Sequence, residues 1–481
     1  MTDASAYDAV IVGGGPNGLA AAITLAREGR SVHVLERAAE VGGGSRSAEL
    51  TLPGYVHDVC SSIHPFGRTS PFFEEAQLER HGLRWVEPPA AIAHPLDGGR
   101  AVIVTRDVDE TATGLGPDRD AYRTLLSPLV RNFRSLLPDI LAPFHIPLAP
   151  RGALRLAWFG LNALQPATWV ARRFRGDEAR ALFAGVAAHS VLRLDEAVSS
   201  AAALALLASA HDDGWPFPAG GAGEIPRALA AELADLGGTI ETDRVVGALA
   251  DLPRSRIGLF DTSPGTLESV ARTRLSDDYR RALRGFRYGP SVFKLDIALD
   301  GPIPWLHPDV ALAGTVHLGG TFEEIAASEE AAANGEVHPR PFVLLAQHSL
   351  FDRSRAPAGK HTAWAYCHAP HATTVDMTEQ ILGQIERFAP GFRERVLAIK
   401  ATTPAELEAS NPNDVGGDIS GGRLDLRQLF TRPAARIDPY STPDPRLFLC
   451  SSSTPPGGGV HGMCGWHAAH SALRRLDRRR D

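Results

Sequence analysis

Residues 8–37 read Asp-Ala-Val-Ile-Val-Gly-Gly-Gly-Pro-Asn-Gly-Leu-Ala-Ala-Ala-Ile-Thr-Leu-Ala-Arg-Glu-Gly-Arg-Ser-Val-His-Val-Leu-Glu-Arg. An apolar run from Ala9 to Val12 breaks into glycines, and a helix-forming run to Glu28 follows at once. A second apolar run, Val32 to Leu35, then ends on an acid, Glu36. That order predicts strand, tight turn, helix and parallel strand, with Gly13, Gly15 and Gly18 in G-x-G-x-x-G spacing. Gly13 permits the turn, Gly15 lets a pyrophosphate approach the backbone, and Gly18 lets the helix pack on the strand. Gly14, Pro16 and Asn17 complete the loop, which turns the free N–H groups of a helix start toward phosphate. Glu36, with Arg37 beside it, stands where a carboxylate accepts from both ribose hydroxyls. A glycine triplet alone is a common tight loop. Framed by strand, helix and acid, it is a dinucleotide site.

At 481 residues the chain exceeds a single core, so two closely joined domains are expected. The net charge of −7 gives no support for nucleic-acid binding. Cys60, Cys367, Cys450 and Cys464 are scattered, with neither C-x-x-C nor zinc spacing. That argues against a disulfide framework, a redox-active disulfide and a metal site. The N-terminus lacks the order of a signal peptide, and no run approaches the ~18 apolar residues of a membrane span. A cytoplasmic protein, soluble or peripherally attached to a membrane, is the expectation, with its oligomeric state open.

Three glycines, Gly42 to Gly44, follow the acidic strand end and continue the cradle. Apolar positions at helical spacing through Ala121–Leu141 and Ala179–Ala210 predict a largely helical excursion. Within it, Leu154 to Arg175 mixes Trp158, Phe159, Leu161, Trp169 and Phe174 with Arg155, Arg172, Arg173 and Arg175. The plainer expectation is a core helix pair with an arginine-bearing outer side; the other is a surface that touches a membrane or admits an apolar substrate. A helix (Ile225–Leu236), a Gly-Gly stop and a strand (Thr239–Val246) then resume the α/β pattern. Phe293 to Leu299 alternates like a strand with one wet face. Near the end, Arg446 to Cys450 runs into Pro455-Pro456-Gly457-Gly458-Gly459-Val460-His461-Gly462 and then a helix. With no strand left to follow, this second glycine loop serves the first cofactor rather than a second one.

The opening fingerprint, the loop after Glu36 and the closing Pro-Gly-Gly-Gly-Val-His-Gly-Met-Cys-Gly together resemble the phytoene desaturase and carotenoid oxidoreductase superfamily, in particular its phytoene-dehydrogenase-related branch. Asp352 to Gly359, Asn411 to Asp418 and Arg432-Pro433 support the likeness. The resemblance implies an α/β architecture: a Rossmann-like FAD-binding domain, a parallel sheet with helices, carrying an inserted α+β substrate domain. On this reading the FAD domain takes residues 1–106, 214–289 and 396–481, and the substrate domain takes 107–213 and 290–395. FAD is the implied cofactor. Gly13, Gly15 and Gly18 would hold its pyrophosphate, Glu36 its adenosine ribose, Gly43 and Gly44 would lie near the ribityl and phosphate region, and Ser61 and Ser62 closer to the flavin ring. Val246 matches the position that meets adenine, and Ser452, Gly459 and Val460 the terminal loop. Two departures stand out: Gly44 occupies the family's usual arginine position, with Arg46 two residues on, and the β-meander expected after Val246 is missing.

The reaction implied is dehydrogenation or isomerisation of an apolar, isoprenoid- or acyl-like substrate, with hydride passing to flavin N5 and oxygen or a quinone accepting the electrons. His461, inside the closing motif, is the first candidate for proton acceptor, and His64 the second. A flavin amine oxidase would favour a lysine near N5, and Lys294 and Lys360 are the available ones; Lys400 is the third and last lysine of the chain. A non-catalytic FAD-binding escort protein is the remaining alternative.

Overall fold

The computed structural model describes residues 6–147 and 149–477. Its opening strand, Tyr7–Val12, lies at the centre of a five-stranded parallel sheet. Val32–Leu35 and then Thr239–Glu241 continue the sheet on one side, Ser255–Phe260 and then Leu447–Leu449 on the other. Helices Pro16–Arg27, Glu224–Asp235 and Met463–Asp477 cover one face, so the central strands are buried and read as unbroken apolar runs. The first and last strands are separated by a single neighbour. Both glycine loops therefore emerge at the carboxyl edge of the same sheet, where ligands of such folds bind. The closing helix meets the first helix at Gly465, where a Cβ would stand only 1.8 Å from the Asn17 carbonyl oxygen.

A second, mixed sheet has seven strands in the order Val396–Thr402, Ser291–Leu299, His361–Ala369, Val343–Ala346, Ala313–Leu318, Ala90–Leu96 and Arg100–Val104. One contiguous apolar core joins the nucleotide sheet, the helical layer and the inner face of this second sheet. The outer face packs under helix Thr378–Phe388. The α/β plan with a second, sheet-bearing unit is as expected, but two boundaries differ. The Ala90–Val104 hairpin belongs to the second sheet and not to the FAD domain. Val396–Thr402 likewise joins the second sheet, as its edge strand. Ala179–Ala210 is largely helical as expected, in two helices, Asp177–Ala187 and Ser200–Asp212.

Strand Ser291–Leu299 has no wet face. Lys294 and Asp296 satisfy the period-two alternation, yet both are buried and pair with each other. In sequence, a buried ion pair on one strand face looks the same as a solvated face. Among the described residues no helix is long and apolar enough to cross a membrane.

Candidate active site

Two connected hollows lie at the carboxyl edge of the parallel sheet. The smaller, about 130 Å³, is bordered by Gly13, Leu35, Glu36, Arg37, Val246 and Thr262, among others. The larger, about 1230 Å³, begins at Gly15, Pro16 and Asn17 and passes Gly43, Gly44, Ser61, Ser62 and His64. Gly15, Gly43, Asp261, Asn411 and Asn413 border both, so one elongated ligand can lie across the pair.

Local sequence explains the narrow part. Gly13 has φ +103°, and a Cβ there would stand 2.6 Å from the Asp261 carbonyl oxygen. A Cβ on Gly43 would come within 3.4 Å of the Gly15 Cα, so the two loops approach backbone to backbone. The first helix starts at Pro16 with Gly15 as its cap, so the capping residue itself brings no side chain to its N–H groups. Glu36 accepts from the Gly14 N–H through Oε2 and from the Ala38 N–H through Oε1, each at 2.7 Å. Each carboxylate oxygen keeps further lone pairs for a ligand. Arg37 and Arg46 tie this rim to the carbonyl of Ser410. Arg46 also donates to the Gly43 carbonyl at 2.8 Å, so it braces the loop in which Gly44 replaces the family arginine.

Two expected contacts take a different form. Gly18 gives its N–H to Asp261 Oδ2 at 2.8 Å, and a Cβ on it would stand 2.1 Å from the Gly13 carbonyl. Gly18 is therefore a packing residue rather than a pyrophosphate ligand. Val246 borders the smaller hollow, but from the loop beyond strand Thr239–Glu241, not from a strand reaching Val246. The chain then passes quickly to Ser255–Phe260, which leaves Val245 exposed at the adenine end.

From the other end of the chain, Ser452, Gly459 and Val460 border the larger cavity. Arg432 holds this loop: buried, it donates to the carbonyls of Gly421 (2.7 Å), Ser452 (2.8 Å) and Ser453 (3.1 Å). Arg432 Nη1, Asn17 Oδ1 and His64 Nδ1 are buried without partners in residues that border the cavity. Buried polar groups are seldom left unpaired, and these three are the donors and acceptors a bound cofactor would use. The side-chain-free narrows, the doubly anchored Glu36 and these open polar atoms fit FAD, with its adenosine in the smaller hollow and its flavin in the larger.

The candidate proton carriers separate clearly. His461 is buried and absent from the cavity wall; its Nδ1 accepts from the Met463 N–H at 3.0 Å, and its ring packs on Gly459. Burial lowers its pKa to about 4. Contrary to expectation, His461 staples the closing loop. His64 does border the cavity, with Nε2 at 3.4 Å from Ser61 Oγ and Nδ1 open. Burial also holds it to about 4, so it is neutral at neutral pH. Ser62, by contrast, spends its hydroxyl on Asp58 (2.9 Å) and His348 (2.7 Å). Asp58 in turn receives Arg355 through two hydrogen bonds, at 3.1 and 2.9 Å. Ser62 thus moors the loop that presents Ser61 and His64.

Three further residues of the cavity wall carry chemistry that the local sequence does not mark. Asp261 follows strand Ser255–Phe260 as Glu36 follows Val32–Leu35, an apolar run ending on an acid. Burial, with Glu36 nearby, pushes its carboxyl up to about 7, against the Gly18 N–H. Asp414 borders the larger cavity, and burial with Asp418 nearby raises it to about 8. His189 borders the same cavity and meets His317, Nε2 to Nε2, at 2.9 Å. Val191 and Val198, beside it on the wall, hold φ of 52° and 76°, strained values for β-branched residues. Only tertiary contact brings these groups to the site.

Comparison with known proteins agrees with this geometry. Residues 11–76 match the family model of an NAD(P)-binding Rossmann-like domain. The chain is 25% identical to the rat pyridine nucleotide-disulfide oxidoreductase domain-containing protein 2, over 98% of this chain and 94% of that one. It is also 25% identical to a carotenoid 3,4-desaturase of Haloarcula japonica, over 99% and 100%. Among solved structures, a triple mutant of putrescine oxidase superposes with a TM-score of 0.64 at 16% identity, covering 98% of this chain and 99% of that one.

Proposed function

We propose that this chain, a member of the superfamily of FAD-dependent oxidoreductases that includes the phytoene and carotenoid desaturases, dehydrogenates a long apolar substrate at adjacent carbon atoms. The observation that carries this reading is the larger cavity. Beyond the glycine loops its wall becomes apolar, through Phe159, Ala205, Leu206, Leu344, Trp364 and Ile419. Excluding water there favours an apolar chain and keeps a substrate carbon close to the cofactor.

FAD bound across the two hollows supplies a two-electron acceptor. The chain's own residues bind and orient. Gly13, Gly15, Asn17 and Gly43 would cradle the pyrophosphate, Glu36 would hold the ribose, and Ser452, Gly459 and Val460 would close over from the C-terminal loop. Ser61, His64 and Asp414 are among the polar groups of the cavity wall. Asp414, raised to about 8, and Asp261, raised to about 7, are the wall carboxyls able to exchange a proton near neutral pH. Oxygen or a quinone would return the cofactor to its oxidised state.

The amine-oxidase alternative lacks its lysine. Lys294 is buried in a pair with Asp296 and Lys360 is paired with Asp300, and neither borders the cavity.

Anaerobic titration of the flavin-loaded protein with long polyenes, fatty acyl chains and alkyl amines tests the reading. Bleaching of the flavin absorbance by a polyene or acyl chain, but not by amines, is expected. Bleaching by amines alone would overturn it. A flavin that dithionite reduces but no organic donor does would favour an escort protein.

A further inference from the structure

The larger cavity runs from an exposed rim to a buried wall. Helix Pro150–Ala163 flanks the rim, with Phe159 and Ala163 turned in and Leu154, Trp158 and Leu161 left outside. On the buried wall Leu344 and Tyr366 stand side by side on adjacent strands, and His317 is next in the same row. His189 reaches this wall from just past helix Asp177–Ala187, and nothing in the proposed reaction uses it. It lies deep in the fold yet keeps accessible surface, which the cavity supplies. Its Nε2 meets His317 Nε2 at 2.9 Å. Its Nδ1 has no hydrogen-bond partner among the described residues and is not sealed off, so it is the ring nitrogen left for whatever fills the cavity.

Proton positions in this cluster are set from its other end. His94 Nε2 lies 2.8 Å from the Gly320 carbonyl oxygen, which can only accept, so that nitrogen carries a proton. Burial lowers His94 to about 4 and His189 to about 3, and it holds His317 far below the ordinary histidine range, so all three rings are neutral at neutral pH. Neutral His94 therefore has a bare lone pair on Nδ1. His317 Nδ1 faces the same small space: each of the two stands 3.0 Å from the point that a Cβ on Gly185 would occupy, and neither has a hydrogen-bond partner. Two lone pairs aimed into one enclosed space repel, so His317 keeps its proton on Nδ1 and its Nε2 is bare. The 2.9 Å contact then requires the proton of His189 on Nε2, which leaves its lone pair on Nδ1. No acid alters this order. Among the described residues none of the three rings pairs with a carboxylate, and Glu329 is spent on His368 at 2.8 Å.

From this geometry we infer that His189 Nδ1 is a hydrogen-bond acceptor for a hydroxyl group carried by the long apolar substrate, its tautomer fixed through His317 and His94 by the Gly320 carbonyl. The other polar ends of such a molecule fit less well. A carboxylate would set its lone pairs against that of His189, with no cation on the three rings to receive it. An aldehyde accepts and cannot donate. An ammonium group donates, but none of the three rings brings a carboxylate to balance its buried charge. A plain hydrocarbon would leave Nδ1 unpaired against apolar atoms. A site that hydrogen-bonds a hydroxyl rejects analogues lacking it more sharply than an apolar pocket sorts them by size. The assignment rests on the proposed function in one respect, that this cavity holds the substrate.

The test measures binding rather than turnover. Oxidised, flavin-loaded protein is titrated anaerobically by calorimetry at neutral pH with geranylgeraniol, geranylgeranial and geranylgeranoic acid, which share one chain and differ at its end. Flavin absorbance is followed in parallel. The alcohol should bind roughly tenfold tighter than the aldehyde or the acid, because only it donates to His189. His189→Phe should remove that preference and leave the affinity for the aldehyde unchanged. Nitrogen NMR of histidine-labelled protein should find His189 protonated at Nε2 and bare at Nδ1. Flavin content and melting temperature report whether the variant is folded; if it is not, the wild-type preference and the ring tautomer decide. Failure of the alcohol to bind, equal affinities for alcohol and aldehyde, a preference for the acid, a preference that survives in His189→Phe, or a proton on His189 Nδ1 would each overturn the inference. Selective binding of the alcohol without bleaching would uphold it and count against the dehydrogenation alone.

Discussion

Replacing Gly465 with alanine tests whether the two ends of the chain must touch for the cofactor site to exist. The added Cβ would stand 1.8 Å from the Asn17 carbonyl oxygen, 2.7 Å from the Asn17 carbonyl carbon and 2.9 Å from the Ala21 nitrogen. All three are backbone atoms of the first helix, so no side chain can swing aside. Restoring ordinary contact requires the helices to part by about 1.5 Å. Overpacking of this kind costs about 1–3 kcal/mol, and rigid backbone on both sides puts it at the upper end. Alanine regains about 0.8–1 kcal/mol of helix propensity, too little to compensate. A net loss of about 1–2 kcal/mol is expected, seen as a melting temperature lower by a few degrees. Because the glycine loop leads directly into the displaced helix, it shifts relative to Ser452, Gly459 and Val460. Losing one charge-assisted hydrogen bond to the pyrophosphate would weaken FAD by roughly tenfold or more. Gly383→Ala is the control: it lies in helix Thr378–Phe388 with nothing within 4 Å of a Cβ, so it keeps the propensity gain without the clash. Differential scanning calorimetry and flavin fluorescence on release measure both quantities. A Gly465→Ala protein that melts and holds FAD like wild type would refute the convergence.

Glu36→Ala should release FAD roughly 10- to 100-fold more readily, because it removes the ribose acceptor and strands the Gly14 and Ala38 N–H groups; equilibrium dialysis reads this. Asp261, raised to about 7 beside the pyrophosphate loop, should weaken FAD binding as pH rises above 7 and the carboxylate forms; Asp261→Asn should lose that slope, and an unchanged slope would clear Asp261 of the effect. Acid should destabilise the fold. His64, His94 and His461 titrate near 4 when folded and 6.5 when unfolded, so their stabilising neutral state is complete above pH 6.5 and each costs about 1.4 kcal/mol per unit as pH falls toward 4. Asp261 and Asp414 act oppositely, their contribution growing as pH falls through 8 toward 3.8, but His57, His189 and His348, lowered to about 3, add to the histidine side. A melting temperature that falls between pH 6.5 and 4.5 is expected; a flat or rising one would contradict it.

The cofactor end was legible in the sequence because its parts are local. Strand, Gly13–Gly18, helix, second strand and Glu36 fall within thirty residues, and each residue type follows from a backbone need that short-range order already sets. The closing glycine loop was legible for the same reason. What the residues along the chain cannot display is which polar groups end up facing inward. The alternation from Phe293 to Leu299 has the same pattern whether Lys294 and Asp296 meet water or each other. His461 sits in the most distinctive motif yet turns its ring into backbone, while Asp261, Asp414 and His189 show no local sign of facing a cavity and reach it only when distant segments come together. Leu154, Trp158 and Leu161 have the spacing of a buried stripe, and only the packing of Phe159 and Ala163 decides that it is the outer one. Local pattern sets backbone geometry at short range. Burial, and with it pKa, pairing and access, is a property of what the rest of the chain brings alongside.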